Sequence, residues 1–96
     1  MKTCKLEVNE DVFGKTVFHA YEDCTIIHPT GARITTRFDE IKTKDGQEMV
    51  EFLTDRGVEM DEILVALDEL EKNGHNKADF GNFGGFVCSS FTGVNQ

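Results

Sequence analysis

Cys4, Cys24 and Cys88, with His19, His28 and His75, are the side chains that could hold a soft metal or act as nucleophile and base. Their spacing supports neither role. A zinc site usually shows two ligands within a few residues of each other, and the chain has no Cys-x-x-Cys and no His-x-x-x-His. Cys24 and His28 come closest, but on a strand they would share a face about 13 Å apart. Any Cys/His couple, such as Cys88 with His19, must be assembled across the fold. No phosphate-cradling, dinucleotide-binding, Gly-x-Ser-x-Gly or His-Glu-x-x-His pattern is present. The expectation is no catalytic residue, no metal and no cofactor.

Carboxylates are the other reactive population, and they are concentrated. Residues 39–71 hold twelve acids against Lys42, Lys44 and Arg56, a balance of −9 in a chain of net charge −8. A field of one sign attracts partners of the other sign and speeds their arrival. The residues singled out are Glu59, Asp61, Glu62, Asp68, Glu69 and Glu71, opposite the apolar stripe of a predicted helix. Solubility alone intersperses both signs at i,i+4. Here Asp61 and Glu62 have no base at i±3 or i±4, and Asp68 and Glu69 share only Lys72. Glu69 and Glu71 also oppose the helix dipole near its C-terminus. Carboxylates on successive turns would stand ~5.4 Å apart along the axis, a regular repeat of negative charge that could imitate a phosphate backbone. The bland alternative is the solvated face that any amphipathic helix presents.

The third feature is Phe80-Gly81-Asn82-Phe83-Gly84-Gly85-Phe86. Phe80, Phe83 and Phe86 are either aromatic anchors for a partner or a dimer seam, or the core contribution of the C-terminal segment.

These residues need a scaffold. Ninety-six residues make one domain. Cys4, Leu6 and Val8 alternate with Thr3, Lys5 and Glu7, which predicts a half-buried strand over 3–8. A second strand is expected over 15–21, broken by Glu22-Asp23. Residues 24–28 and 33–38 then form a hairpin about Pro29-Thr30-Gly31. From residue 45 the period becomes helical. Asp45 is the N-cap of a helix over 46–56, with Glu48 at capping-box spacing and Gly57 past its end. Met60, Ile63, Leu64, Leu67 and Leu70 mark a second helix, stopped at Asn73-Gly74. With Met49, Phe52 and Leu53 they should face the sheet. Residues 75–85 are expected to run irregularly, and 86–91 to return as a last strand. The fold class is therefore α+β: one small domain, an antiparallel β-sheet of four to five strands with two helices packed on one face. Its parts are strand-rich 1–38, an acidic helical segment over 45–73 and a Gly/Phe-rich C-terminal segment over 75–96.

Composition limits the partners. Ten scattered bases cannot neutralise a row of phosphates, so direct nucleic-acid binding and anionic membranes are disfavoured. No apolar run nears the roughly 20 residues a spanning helix needs. The start lacks an apolar leader core, and three irregularly spaced cysteines suit a reducing compartment, so the cytoplasm is expected. In size, acidity and lack of catalytic motif the chain resembles the small acidic antagonists that phages and mobile elements encode against host nucleic-acid enzymes. The likeness is one of composition and covers no motif. It implies a non-enzymatic inhibitor whose acidic face docks on a basic protein, such as a nucleic-acid-processing enzyme. A small-ligand module closed by the Phe/Gly-rich segment, dimeric or not, is the alternative, and a small Cys/His enzyme is third. A homodimer would let so short a chain bury more surface.

Overall fold

The computed structural model describes residues 2–81 and 86–89. The elements are β1 (Lys2–Glu10), β2 (Thr16–Ile27), β3 (Arg33–Thr43), α1 (Gly46–Thr54), α2 (Met60–Asn73), β4 (Lys77–Phe80) and β5 (Phe86–Ser89). The strands form one sheet in the order β3-β2-β1-β4-β5, and every neighbouring pair is antiparallel. The architecture is α+β, as the periodicity predicts, with both helices packed on one face.

Register shows which side chains share the helix face. Leu6 pairs with Ala20 and Ala78, Ala20 with Ile41, Ala78 with Cys88 and Cys4 with Phe80. Leu6, Ala20 and Ala78 are fully buried there, beneath Leu53, Ile63 and Ala66, also at 0% exposure. Alanines in the middle of the sheet let the helices approach closely, and the larger Leu6, Phe80, Met49 and Ile63 fill the space around them.

The structure corrects three expectations. First, Glu22-Asp23 does not break the second strand, and β2 runs unbroken from Thr16 to Ile27. Glu22 has Arg56 beside it, and Asp23 has Lys5 and Arg37, so both acids are neutralised in place. The discontinuity falls on β3 instead. Asp39 pairs with Glu22 and Arg37 with Asp23, so Phe38 is an extra, bulged residue. Second, residues 77–80 are a strand rather than irregular chain, because Ala78 and Phe80 alternate with Lys77 and Asp79 against β1. Third, the buried stripe of α2 is Ile63, Ala66 and Leu70, with Leu67 half-buried. Met60 and Leu64 do not face the sheet and are 48% and 55% exposed. Positions 63, 66, 67 and 70 fill one helix face, and Met60 and Leu64 lie on its flank, beyond the arc the sheet covers.

The helix ends follow their local chemistry. The Asp45 carboxylate accepts the Gln47 N–H at 2.9 Å. The direct Asp45–Glu48 capping box expected from the spacing does not form, and Thr43 links the two instead. Thr43 Oγ1 accepts the Asp45 N–H at 3.0 Å and donates to Glu48 Oε1 at 2.7 Å. At the other end Val58 N–H reaches the Leu53 carbonyl at 3.1 Å, and Gly57 takes φ +95°, which an L side chain rarely adopts. Gly74, at φ +69°, closes α2 in the same way.

Candidate partner-binding surface

Of the twelve carboxylates in residues 39–71, the fold itself uses about half. Asp39 pairs with Arg56, and Glu40 bonds Arg37 at 3.0 Å and lies 3.4 Å from His19. Asp45 and Glu48 cap α1, Glu51 accepts weakly from Gln47 at 3.4 Å, and Asp68 bonds Lys72 at 2.9 Å. That last contact raises the ammonium pKa of Lys72.

Five acids have neither an ion pair nor a side-chain hydrogen bond among the described residues: Asp55, Glu59, Asp61, Glu62 and Glu71. Four of them sit within eight residues, where the chain leaves α1, turns at Gly57 and enters α2. Asp61 and Glu62 occupy the first turn of α2, where negative charge offsets the helix dipole. Glu59 is its N-cap residue but makes no capping hydrogen bond with its side chain. All five lie on the surface, Glu62 partly covered. Glu69 is exposed on the flank nearest β5, 4.0 Å from the Cys88 sulfur.

The six carboxylates picked out by sequence therefore do not form one stripe. Asp61 and Asp68 share the outermost row of α2, seven residues and about 10.5 Å apart along the axis. Glu62 and Glu69 repeat that interval on one flank, and Glu71 lies on the other. Val65, 49% exposed, stands between the Asp61/Asp68 and Glu62/Glu69 rows, and Met60 and Leu64 lie on the flank of Glu71. The outer surface of α2 is thus acidic and apolar together. Asp55, also exposed, is the C-cap residue of α1, four residues before Glu59.

Beside the α1–α2 corner is a cleft of about 310 Å³, lined by Lys2, Cys4, Glu22, Arg56, Val58 and Phe80. Arg56 organises it. Its guanidinium lies 3.6 Å above the Phe52 ring, donates to the Phe52 carbonyl at 2.9 Å, and has Nε 3.6 Å from Glu22. Burial, and then the Glu22 charge, push the Cys4 thiol up, with Arg56 opposing in part. A raised thiol pKa means little thiolate at neutral pH, so Cys4 is suited to packing and not to nucleophilic attack. Cys88 is raised by burial and by Glu69 and Asp79.

The uncovered face of the sheet holds the densest polar network. Tyr21 donates to Glu7 at 2.7 Å, Arg37 lies 3.9 Å over the Tyr21 ring, and His19 stacks on the same ring at 4.7 Å. Burial raises the Tyr21 phenol pKa, and its bond to Glu7 raises it further, so Tyr21 acts as a fixed donor. No group of three metal-ligating side chains exists among the described residues. His28 bonds Thr30 within the hairpin turn, and His19 lies against Glu40.

Of the three proposed aromatic anchors, Phe80 is 2% exposed and belongs to the core. Phe86 opens β5 opposite Phe80. Phe83 lies outside the described residues. Away from the predicted site residues, Val12 and Phe13 are 92% and 82% exposed, and Ile26, Ile27 and Ile34 stand open on the β2–β3 hairpin. Comparison of the chain with protein-family models, with curated proteins and with solved structures found no match.

Proposed function

We propose that the chain is a non-enzymatic binding protein. It docks the acidic α1–α2 corner and the outer face of α2 on a basic, nucleic-acid-binding surface of a partner protein, and so inhibits or regulates it. The observation that carries the reading is the set of carboxylates Asp55, Glu59, Asp61 and Glu62, which have no ion pair among the described residues and lie in sequence beside exposed Met60, Leu64 and Val65. Charge alone steers an encounter, whereas apolar side chains at the centre of a contact supply lasting affinity. The interval of about 10.5 Å between carboxylates of one row suits a protein surface of mixed character better than strict imitation of successive phosphates. The cytoplasm is the compartment in which such a partner would be met. No helix among the described residues is long and apolar enough to cross a membrane, which is compatible with this reading.

The test is capture by the immobilised chain with and without excess duplex DNA. A nucleic-acid-binding protein that is retained, then displaced by DNA, supports the proposal. A partner whose binding ignores DNA refutes its placement on a nucleic-acid site.

The cleft at Lys2, Cys4 and Arg56 favours a second reading, a small-ligand module, because Phe80 and Gly81 at its rim begin the Phe/Gly-rich segment. Native mass spectrometry of freshly purified protein separates the two. A retained ligand supports the module, and a clean apo mass counts against it.

A further inference from the structure

The turn joining β1 to β2 displays two apolar side chains in a fixed frame. Val12 and Phe13 are the most exposed large hydrophobic residues described, yet the backbone that carries them is tied down. Asp11 N–H donates to the Lys15 carbonyl at 2.9 Å, and Gly14 N–H to the Asp11 carbonyl at 3.0 Å. One Asp11 oxygen accepts from the Phe13 and Lys15 N–H groups at 2.8 and 3.0 Å. The other binds the Lys44 ammonium at 2.7 Å. A large aromatic held in water by a preorganised turn forgoes its burial energy in the isolated chain, and preorganisation lowers the entropic cost of placing it in a pocket.

A complementary cleft of about 500 Å³ opens at the same end of the molecule. Val8, Leu67 and Leu70 form its apolar part, and Glu10 and Glu71 its acidic part. A ring nitrogen of His75, which also lines it, is buried with no hydrogen-bond partner among the described residues. The tip carries Lys15 beside Phe13, opposite in sign to the cleft. Val8 and Glu10 precede the tip and Thr16 follows it, so tip and cleft are neighbours on one edge. A two-fold axis beside that edge can seat each tip in the other copy's cleft simultaneously, which closes the assembly as a dimer and not a fibre.

We propose that the occupant of this cleft is the Val12–Phe13 tip of a second copy of the chain, paired reciprocally, with Lys15 facing Glu10 and Glu71 of the other copy. The contact is small beside the ~1,200–2,000 Å² of a standard interface, so the dimer should be weak, with a dissociation constant on the order of micromolar. The acidic corner at residues 55–62 lies at the other end of α2, about 20 Å away along a helix of this length, and stays open in both copies.

Sedimentation velocity of the full chain over a concentration series spans the expected equilibrium. Wild type should pass from monomer to dimer and stop there. Phe13→Ser should raise the dissociation constant at least ~30-fold, as loss of a buried aromatic anchor does. Well below the dissociation constant its melting temperature should match wild type, because the side chain is exposed in the monomer. Lys15→Glu and Glu71→Lys should each weaken the dimer, and the double variant should restore it. A wild type that stays monomeric throughout overturns the proposal. So do a dimer indifferent to Phe13→Ser, a double swap without recovery, or a monomer that uses Phe13 to bind phospholipid vesicles. None of these outcomes depends on the acidic corner having a partner.

Discussion

Replacing Arg56 by methionine keeps a stem over the Phe52 ring and removes the cation next to Glu22 on the helix side. The side chains of Arg56 and Glu22 are 21% and 12% exposed, so the pair is mostly but not wholly desolvated. Breaking a fully buried pair costs about 3–5 kcal/mol, and the residual exposure lowers this to roughly 2–3. Loss of the bond to the Phe52 carbonyl adds about 0.5–1 kcal/mol, and loss of the contact to half-exposed Asp39 adds at most ~1. The total is about 3–4 kcal/mol, against roughly 5–14 for a domain of this length. At ~4–8 °C per kcal/mol the melting temperature should fall by about 12–32 °C. Thermal and urea unfolding of Arg56→Met, Glu22→Gln and the double variant measure it. Because the amide introduced by Glu22→Gln carries no charge to strand, the double variant should recover at least ~1 kcal/mol of the loss. Charge reversal at Asp55 or Glu62, by contrast, should move stability by no more than about 0.5–1 kcal/mol. An Arg56→Met variant that loses less than ~1 kcal/mol, or shows no coupling to Glu22, would refute the division between carboxylates that hold the fold and carboxylates that are free.

Glu71→Gln removes a charge that opposes the α2 dipole and has no cation paired with it among the described residues, and should stabilise the fold by about 0.3–0.5 kcal/mol in chemical unfolding. The Asp11 carboxyl is drawn down to about 2, first by its bond to Lys44 and then by the Lys15 N–H. A lowered folded-state pKa gives stability that is complete above the unfolded value near 3.8 and is lost as pH falls through about 2. The amide resonances of Phe13 and Lys15 should therefore keep their folded positions down to about pH 3 and move below it; movement between pH 4 and 5 would contradict this. Cys4 and Cys88, both raised by burial first, should alkylate more slowly with iodoacetamide at pH 8 than a free cysteine does. Rapid modification of Cys4 in the folded chain would reopen thiol chemistry.

Periodicity carried the framework because Leu6 and Val8, or Ile63 and Leu70, announce their faces over several residues. It did not carry the polar middle of β2. Glu22 and Asp23 look like strand breakers until Arg56 and Arg37 are brought beside them from 34 and 14 residues away in the chain. The bulge at Phe38 is a consequence of pairing and has no local cue. The same limit explains α2. Apolar residues at 60, 63, 64, 67 and 70 span more of the helix than the sheet covers, and the small Ala66 marks the true centre of contact. Of the candidate surface, the acidic bias was plain in composition. Which acids are free was not, because Asp39, Glu40 and Asp45 find partners only in the folded chain, whereas Asp55 and Glu59 find none among the described residues.

Docking through the acidic corner is tested by capture with the wild-type chain and with a chain carrying Asp55→Lys, Glu59→Lys, Asp61→Lys and Glu62→Lys, each at low and high salt. Circular dichroism first confirms that both are folded. A basic partner should be retained by wild type at low salt, released steeply as salt rises, and absent from the reversed chain. Equal retention by both chains, or retention that ignores salt, would contradict it.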